Sequence, residues 1–401
     1  MPSETDPTEP DVPIRPGPLT IGMVGAGQLA RMTHQAAIGL GIPLRIMAVD
    51  HTESAAQVSP HIDLGSPHRT DDLVAFADGC DIVTFDHELV DLDALEMIEA
   101  SGAALARPPA GALTYATDKA HQRRRFAEAG FPLPAHRITN DGVEALEAMD
   151  ELGWPVVVKT ARGGYDGRGV WIVDGPAEAE ALLAELAGEA QLPTLVIEVR
   201  VPIEVELAVL VARRPNGQMV SYPVIETVQV AGICRETITP ARVPPDVAER
   251  ARLLGEAVAE TVGAVGIIAV ELFFDGSDVT INEVATRPHN SGHWTIEGAS
   301  TSQFANHLRA VADLPLGVTE LVAPVAVSAN ILGHDDGRDP RHHLPEALDV
   351  AGAAVHLYGK APRPGRKLGH VTVLADNVDD GRRRAAAAVA ALGAPVPGAR
   401  T

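Results

Sequence analysis

The feature that most constrains the fold is an alternation of strand and helix patterns that begins near residue 19. LTIGMVGAG (19–27) is an apolar stretch ending in glycines, and QLARMTHQAAIGLG then places apolar residues at helical spacing. LRIMAVD, CDIVTFDHE and DLDALEMIEASG continue the alternation. Strands that alternate with helices form parallel sheets through βαβ crossovers. The sequence therefore predicts an α/β first domain with a parallel sheet, ending near residue 113.

The first strand–helix junction carries a short glycine motif. GAGQLA (25–30) fits the G-x-G-x-x-G/A pattern, and Asp50 closes the next strand about 20 residues on, where a ribose-binding acid would lie. A helix N-terminus with free N–H groups suits a phosphate of any ligand. The motif favours a Rossmann-like domain and leaves two roles open, which are binding of NAD and close packing of strand on helix.

A mixed α and β region follows this first domain. TDKAHQRRRFAEAG, PAEAEALLAELAG and DVAERARLLGEAVAETVG predict helices, and LVIEVRV predicts a strand. EVELAVLVARR and MVSYPVIETV predict a hairpin joined by PNGQ, and IIAVELFF and VTINEVA predict one joined by DGSD. From PVAVSANILG onward, short strands and an alanine-rich helix predict a small C-terminal domain.

Composition narrows the class of protein. The chain has 401 residues, too many for one core, and its net charge of -22 argues against general nucleic-acid binding. Its apolar runs are shorter than the ~20 residues that span a bilayer. Residues 1–18 are rich in proline and acid and lack the apolar middle of a signal peptide. We expect a cytoplasmic protein with a disordered tail. Its two cysteines, Cys80 and Cys234, are far apart in the sequence, which indicates a reducing compartment.

The stretch KTARGGYDGRG (159–169) follows an apolar run, WPVVV. It is not a Walker A motif, because it lacks the G-x-x-x-x-G-K-[ST] pattern. It still has the parts of a phosphate clamp, since a glycine-rich loop offers backbone N–H donors beside Lys159 and Arg168. A plain surface turn is the alternative, but four glycines interleaved with Tyr165, Asp166 and Arg168 are more than a turn needs. We interpret the stretch as an anion-binding loop.

Glu271 and Glu283 lie on the two arms of the DGSD hairpin. If the turn is centred on Ser277, the two glutamates are directly opposite and on one face. Opposed like charges destabilise a sheet, and a divalent cation removes that repulsion. The spacing predicts a magnesium site beside a polyphosphate. Solvated edge glutamates are the alternative, and a register shifted by one residue would separate the pair.

Two further motifs concentrate positive and neutral polar groups. NEVATRPHNSGHW (282–294) supplies Arg287, His289, Asn290 and His293 directly after Glu283, which is typical of an anion and substrate wall. YGKAPRPGRKLGH (358–370) reads as a phosphate-binding loop, with a solvated basic turn as the alternative. Only four of the 32 basic residues are lysines, and all four lie in these motifs, in TDK or in the glycine loop. Compact point charges at these places favour phosphate binding over chance.

The motifs GAGQLARM, TFDHE, TDK, VVVKTARGGYDGRG, RPHNSGHWTIEGA and YGKAPRPGRKLGH, with the paired glutamates, resemble the N5-carboxyaminoimidazole ribonucleotide synthase family of ATP-grasp enzymes. The resemblance spans roughly residues 19–375. It implies an α/β chain with an α+β centre, in which a Rossmann-like pre-ATP-grasp domain (19–113) follows the tail (1–18). An ATP-grasp domain (114–320, with a lid over about 125–205) and a C-terminal domain (321–401) complete it.

The resemblance also implies a reaction. The family uses ATP and bicarbonate to carboxylate the exocyclic amine of 5-aminoimidazole ribonucleotide in de novo purine biosynthesis, giving ADP and phosphate. ATP phosphorylates bicarbonate to carboxyphosphate, and this intermediate, or carbon dioxide released from it, carboxylates the amine. The implied cofactors are ATP and Mg²⁺, as two ions for which Mn²⁺ can substitute. The implied partners are these small molecules and a second copy in a homodimer, with no nucleic acid and no membrane.

Site residues follow from the resemblance, position by position. Those implied at the nucleotide are Lys119, Lys159, Gly164, Tyr165, Asp166, Gly167, Arg168, Gly169, Val170, Glu198, Val199, Arg200, Val201, Glu206, Gln229, Asn282 and Glu283. The metal ligands are Glu271 and Glu283. The ribonucleotide and bicarbonate residues are Gln28, Glu88, Tyr165, Arg168, His289, Asn290, Lys360, Arg366 and Lys367. Catalytic roles fall on Asp166, Arg287, His289 and Lys360.

The sequence departs from the family pattern at three places. Ala30 stands where a third glycine is usual, TFDHE places Asp86 and His87 before the retained Glu88, and Val199 replaces a second glutamate after Glu198. None of these changes removes a charge that the chemistry needs. Three other functions are weaker matches: a related ATP-grasp enzyme of the biotin carboxylase or glycinamide-ribonucleotide type, an NAD(P)-dependent oxidoreductase, and a nucleotide-binding module without activity.

Overall fold

A computed structural model describes residues 19–163, 169–188, 191–230 and 232–395. The chain divides into two compact units, Met1–Ala110 and Gly111–Thr401. The predicted tail (1–18) and the central part of the glycine loop (164–168) lie outside the described residues. In the part that is described, no helix is long and apolar enough to cross a membrane.

The first unit contains a parallel sheet covered by helices, as the alternation predicts. Over residues 19–110 the sheet has five strands in the order β3-β2-β1-β4-β5, and every neighbouring pair is parallel. The strands are β1 (Ile21–Val24), β2 (Leu44–Ala48), β3 (Ile62–Leu64), β4 (Ile82–Phe85) and β5 (Leu105–Ala106). The helices are α1 (Gln28–Leu40), α2 (Thr70–Ala77) and α3 (Leu92–Ser101). The fold prediction for this region is confirmed.

Local chemistry sets where these helices end. α1 and α3 are followed by Gly41 and Gly102, whose φ angles of 65° and 66° lie in the left-handed region that glycine adopts without strain. At the other end of α3, the Asp91 side chain accepts a hydrogen bond from the Ala94 backbone N–H. β1 is buried along its whole length, which matches its uninterrupted apolar sequence.

The second unit begins with a smaller antiparallel sheet. As far as the chain is described, this sheet has four strands in the order β6-β9-β7-β8. The strands are β6 (His136–Thr139), β7 (Val156–Thr160), β8 (Val170–Val173) and β9 (Leu195–Val199). The helices here are α4 (Ala110–Thr117), α5 (Lys119–Glu128), α6 (Gly142–Leu152) and α7 (Pro176–Ala187). Apolar side chains of α6 and α7, including Met149 and Leu182, pack on β7 and β9.

A larger antiparallel sheet carries the rest of the second unit. Among the described residues it has nine strands, in the order β15-β14-β10-β12-β13-β16-β18-β17 with β11 beside β10. The strands are β10 (Val205–Arg213), β11 (Met219–Ser221), β12 (Ile225–Val230), β13 (Ile233–Thr239), β14 (Gly266–Phe274), β15 (Val279–Ala285), β16 (Val325–Leu332), β17 (Ala353–Leu357) and β18 (Lys367–Ala375). The helices are α8 (Pro245–Val262), α9 (Thr295–Gly298), α10 (Gln303–Val311), α11 (Leu344–Leu348) and α12 (Val378–Ala391).

Both faces of this sheet are covered. Alternate residues of β10 point to opposite faces, so that Val209 packs in the cluster formed with α8, and Leu210 packs in the cluster that contains Trp294. β16 pairs with β13, which makes residues 325–375 a continuation of the sheet rather than a detached layer. The domain boundaries at residues 113 and 320 stay predictions.

One predicted hairpin is subdivided. PNGQ does join β10 to an antiparallel partner, but that partner is not one continuous strand. It breaks at Pro223 into β11 and β12, and both of these pair with β10. Proline has no N–H to donate to a ladder, which accounts for the break. The prediction of a single arm over MVSYPVIETV was therefore wrong.

Candidate active site

The paired glutamates lie on β14 and β15, and a β-bulge sets their register. Near the turn, Phe274 pairs with Val279 and Leu272 with Ile281, so a regular ladder would place Glu271 opposite Asn282. The register shifts by one residue between Glu271 and Leu272, and Glu271 pairs with Glu283. The predicted opposition is confirmed, but the turn is not centred on Ser277, because the extra residue of the bulge restores the pairing.

Negative charge accumulates around Glu271. Burial, together with the charges of Glu283 and Glu206, raises the pKa of Glu271 to about 8. Burial also raises the pKa of Glu206 to about 7, and a hydrogen bond with Gln229 acts in the opposite direction. A shared cation would favour the ionised forms of these carboxylates. Among the described residues, no group of three or more His, Cys, Asp or Glu side chains is arranged to hold a metal ion.

Lys159 reaches the same hairpin from the smaller sheet. It is buried near the end of β7, with Nζ 2.7 Å from Glu198 Oε2 on β9 and 3.3 Å from Asn282 Oδ1. The other oxygen of Glu198 accepts a hydrogen bond from Arg123 Nε on α5. Although burial acts to raise it, the pKa of Glu198 is lowered to about 2 by the charges of Lys159 and Arg123. Glu198 is therefore an ionised carboxylate that holds two cations in place.

Asn282, the residue at the bulge, connects the two sheets. Its Oδ1 faces Lys159, and its Nδ2 donates to Glu271 Oε2 at 3.3 Å. On the adjacent residue, Glu283 Oε2 lies 3.7 Å from Lys119 Nζ at the start of α5. Two lysines and two glutamates thus converge on one point of the hairpin, with the Asn282 amide between them.

Residues 287–294, which follow β15, form a further side of the site, called the wall below. The His289 ring has Nε2 3.6 Å from Glu271 Oε1 and Nδ1 2.9 Å from Ser291 Oγ. Burial and the positive charges of Arg287 and Lys367 hold the pKa of His289 well below its usual range, so the ring is neutral. Asn290 lies beside Asn330 of β16, whose Nδ2 is 3.4 Å from Asn290 Oδ1.

The buried Gln303 of α10 holds the backbone of this wall. Its Oε1 accepts from the His289 backbone N–H at 2.9 Å, and its Nε2 donates to the His289 carbonyl at 2.7 Å. Sequence reasoning missed Gln303, because nothing in the sequence connects α10 to a residue 14 positions earlier. It also missed Arg123, although Lys119 and Arg123 are four residues apart in a predicted helix and therefore share a face.

The loop between β17 and β18 carries the last two lysines. The positive charge of Lys367 lowers the pKa of both Glu271 and His289. Lys360 Nζ lies 5.8 Å from the centre of the Tyr358 ring. The Arg366 carbonyl accepts from the backbone N–H of Gly333, and a Cβ on Gly333 would come within 2.0 Å of the Arg363 carbonyl oxygen. The loop is thus seated closely against the end of β16.

A stack of three histidines, of which His293 and His370 are buried, contacts both motifs. His356 and His370 face each other across β17 and β18 with ring centres 4.5 Å apart, and His293 lies 4.8 Å from His370. Tyr358 Oη is 2.8 Å from His370 Nδ1, and His356 Nε2 is 2.6 Å from Glu297 Oε1. The stack joins RPHNSGHWTIEGA to YGKAPRPGRKLGH, which holds residues 289–297 against the loop between β17 and β18.

In the first unit, the GAGQLA junction is filled by a side chain of the protein itself. Asp86, after β4, accepts from the Gly27 backbone N–H at 2.6 Å and from the Ala30 N–H at 2.8 Å. A carboxylate at a helix N-terminus takes the place that a phosphate would occupy. Asp50 is also engaged, since its Oδ1 accepts from the Thr52 N–H at 2.6 Å. Gln28 begins α1 and Glu88 follows β4, at the carboxyl ends of adjacent parallel strands.

NAD and NADP are therefore expected not to bind at physiological concentration. The N–H groups that would hold the pyrophosphate already bond Asp86, and a second anion would be repelled by its charge. Isothermal calorimetry with each dinucleotide would check this, with Asp86→Ala as the variant that exposes the N–H groups. Saturable binding at micromolar NAD by the wild type would contradict the expectation.

The glycine loop is described only at its edges. Gly164, Tyr165, Asp166, Gly167 and Arg168 lie outside the described residues. The edges of that loop are described, and the Gly169 carbonyl accepts from the Thr160 N–H at 3.0 Å. Val170 opens β8 opposite Lys159. After β9, Arg200 is exposed, and the Val201 carbonyl accepts from the Ile203 N–H at 3.0 Å.

Comparisons with known proteins agree on one family. A model for the ATP-grasp domain matches residues 124–304, one for the ribonucleotide synthetase preATP-grasp domain matches 19–117, and one for the phosphoribosylaminoimidazole carboxylase C-terminal domain matches 326–384. N5-carboxyaminoimidazole ribonucleotide synthase of Mycobacterium tuberculosis is 45% identical over 366 residues, covering 89% of this chain and 84% of that protein. The Corynebacterium ammoniagenes enzyme of the same name is 42% identical, covering 92% and 91%.

Solved structures give the same result. N5-carboxyaminoimidazole synthase from Aspergillus clavatus, in complex with ADP and 5-aminoimidazole ribonucleotide, superposes with a TM-score of 0.85 at 30% identity. That match covers 94% of this chain and 98% of the other. The Thermus thermophilus synthetase has a TM-score of 0.84 at 33% identity, covering 94% and 100%.

Two sheets that bring lysines and paired glutamates together, in a chain that matches the ATP-grasp model over residues 124–304, define an ATP-grasp ligase. The matches to the preATP-grasp and C-terminal domain models identify one family within this class of enzymes. The chain belongs to the N5-carboxyaminoimidazole ribonucleotide synthase family. The sequence-based assignment is confirmed, and the oxidoreductase alternative was wrong.

Proposed function

We propose that this chain uses ATP and bicarbonate to carboxylate the exocyclic amine of 5-aminoimidazole ribonucleotide. The family catalyses the ATP-dependent carboxylation of this ribonucleotide in purine biosynthesis. The structural observation that carries the proposal is the opposed pair Glu271 and Glu283, with Lys119 3.7 Å from Glu283 and Lys159 3.3 Å from the intervening Asn282. This arrangement suits a polyphosphate with its cation and has no use in dinucleotide binding.

The first step transfers the γ-phosphoryl group of ATP to an oxygen of bicarbonate, which gives carboxyphosphate and ADP. In the second, the amine nitrogen bonds to the carboxyl carbon of carboxyphosphate, or of carbon dioxide released from it. Phosphate leaves, and the amine loses a proton. Carboxyphosphate is short-lived in water, so a site that excludes solvent favours transfer over hydrolysis.

At the nucleotide, Lys119 and Lys159 are proposed to bind phosphate oxygens. Glu198 supports this role indirectly, since its carboxylate holds Lys159 at 2.7 Å. The adenine contact then falls on the backbone of residues 199–201. Glu206 and Gln229 lie side by side on β10 and β12 and are suited to the ribose hydroxyls, as donor and acceptor groups on adjacent strands.

The residues present fit a divalent cation. Burial and neighbouring negative charge raise the pKa of Glu271 to about 8, which disfavours its ionised form. A bound cation would favour the ionised form again. Glu271 and Glu283 would hold Mg²⁺, as two ions for which Mn²⁺ can substitute. When bound, the metal would neutralise charge on the transferring phosphoryl group. Asn282 would orient Glu271 through its hydrogen bond.

The ribonucleotide and bicarbonate are proposed to bind at the wall and the lysine loop. His289 is proposed as a neutral hydrogen-bonding group, because burial and nearby positive charge hold its pKa well below the usual range, while Arg287, Arg366, Lys360 and Lys367 supply positive charge for the anions. Asn290 is also proposed for this site, and the substrate roles of Gln28 and Glu88 stay predictions. Asp166, Tyr165 and Arg168 of the glycine loop stay predictions, as do the homodimer and the cytoplasmic location.

The test is the release of ADP by the purified chain in MgATP. Release should require bicarbonate and should rise when 5-aminoimidazole ribonucleotide is added, with one N5-carboxylated product formed per ADP. In a related ATP-grasp enzyme with another substrate, this ribonucleotide would leave the rate of ADP release unchanged. ADP release that is indifferent to both compounds would refute the proposed function.

A further inference from the structure

Arg123 is a buried cation to which neither the sequence motifs nor the reaction assigns a role. It lies on α5, one turn after Lys119, and its side chain is only 2% exposed. Its guanidinium makes three contacts in three directions. Nε donates to Glu198 Oε1, Nη1 donates to Gln122 Oε1, and Nη2 donates to the Asn282 carbonyl at 2.6 Å. A buried arginine with all its groups engaged has a fixed position.

The Glu198 contact links Arg123 to the phosphate lysine. Glu198 lies between two cations, with Oε1 on Arg123 and Oε2 2.7 Å from Lys159 Nζ. Without Arg123, this carboxylate would lose one of the two partners that fix its orientation. Lys159 would then be held by a carboxylate that can rotate. A shift of about 1 Å in a positioning group is enough to cost ~100-fold in rate.

The Asn282 contact links Arg123 to the paired glutamates. Asn282 is next to the register shift that brings Glu283 opposite Glu271, and bulged residues lack a regular ladder partner. Arg123 supplies that partner to the Asn282 carbonyl. The Asn282 side chain then faces Lys159 and Glu271 on its two sides. One guanidinium therefore sets both the register of the carboxylates and the direction of the lysine.

We infer that Arg123 is the positioning residue that couples the phosphate lysine to the metal-binding hairpin. It touches neither ATP nor the cation, and it acts through Glu198 and the Asn282 carbonyl. The inference rests on the proposed function for the identity of those ligands. Its specific content is that one residue controls MgATP affinity and the Mg²⁺ requirement together, and leaves ribonucleotide binding alone.

The test compares Arg123→Gln, Arg123→Lys and a matched control. Arg125→Gln alters a neighbouring arginine of the same helix, whose exposed side chain forms an ion pair with Glu128. Calorimetry would give the affinity for MgATP and for 5-aminoimidazole ribonucleotide. A magnesium titration of ATP binding would give the metal requirement, and thermal unfolding would report whether each variant folds. Turnover is not needed for any of these measurements.

Arg123→Gln should weaken MgATP binding roughly 10- to 150-fold, as expected for a lost charge-assisted hydrogen bond, and should raise the Mg²⁺ concentration needed. Ribonucleotide affinity should stay within about threefold, and Arg125→Gln should match the wild type in every measurement. Arg123→Lys keeps the charge but not the fork, so it should recover part of the MgATP affinity.

Two results would overturn the inference. One is an Arg123→Gln protein whose MgATP affinity and Mg²⁺ requirement are those of the wild type. The other is an equal loss for MgATP and ribonucleotide, which would indicate general damage to the fold. If Arg123→Gln does not fold, Arg123→Lys decides, because an arginine that matters only through its charge would be replaced without loss. Failure of the proposed function would appear in the wild type, as ADP release without ribonucleotide dependence, and leaves the MgATP measurements valid.

Discussion

Glu271→Gln and Glu283→Gln are each expected to lower turnover by two orders of magnitude or more, while the protein stays folded. Loss of a group that only supports a metal ligand costs ~10- to 100-fold, and loss of a ligand itself should cost more. Both glutamates face one point of the hairpin, so neither can replace the other. Steady-state assays at saturating MgATP would measure the effect, and wild-type turnover in either variant would remove the metal assignment.

The same substitutions should not destabilise the metal-free protein. The pKa of Glu271, raised to about 8 by burial and by Glu283 and Glu206, shows that an ionised carboxylate is disfavoured there. An uncharged amide removes the repulsion between opposed strands, so thermal stability in a chelator should hold or rise slightly. Asp278→Asn at the exposed tip of the same hairpin is the control and should leave turnover unchanged.

Lys360→Ala is expected to separate the two ligands. Lys360 lies over the Tyr358 ring, whereas Lys119 contacts Glu283 of β15. Lys159 contacts Glu198 of β9 and Asn282 of β15. Ribonucleotide affinity should fall roughly 10- to 150-fold, the value of one charge-assisted hydrogen bond, with ATP affinity little changed. Lys360→Arg should not rescue fully, because a guanidinium is larger and differently shaped than an ammonium.

Arg363→Ala is the matched control for Lys360, since Arg363 is an exposed cation of the same loop. Affinities for both ligands, measured by calorimetry on all three variants, decide the assignment. An unchanged ribonucleotide affinity in Lys360→Ala would indicate a solvated lysine with no ligand. An equal loss for ATP would indicate that the loop affects the whole site.

The sequence was sufficient for features that depend on neighbours in the chain. Alternating apolar periods predict the parallel sheet of the first unit, and turn signals predict the β10–β11 and β14–β15 hairpins. The sequence was insufficient where a residue far away in the chain determines the local geometry. Counting back from the observed turn would pair Glu271 with Asn282, and the bulge that corrects this is held by Arg123, 159 positions away. No local pattern carries that information.

The sequence also did not predict which side chains hold other side chains of the site in place. Glu198 was predicted to lie at the nucleotide, and the sequence did not show that both its oxygens bond cations of the protein. Gln303 and Asn330 hold the substrate wall from α10 and β16. Family motifs mark the groups at the ligands, whereas residues behind them are identified by burial and contact. The His356–His370 pair shows the same, because only strand pairing brings these two rings together.

Whether Gly27 can be replaced by a larger residue depends on Asp86. The Gly27 backbone, at φ -75° and ψ -164°, is one that any residue adopts, but a Cβ there would lie 2.2 Å from Asp86 Oδ2. The three nearest atoms to that Cβ all belong to Asp86. Gly27→Ala should therefore destabilise the wild type and be nearly neutral beside Asp86→Gly, a strong epistasis that a double-mutant cycle would reveal. An evolutionary path that placed a side chain at position 27 would therefore be less destabilising if the Asp86 carboxylate were lost first.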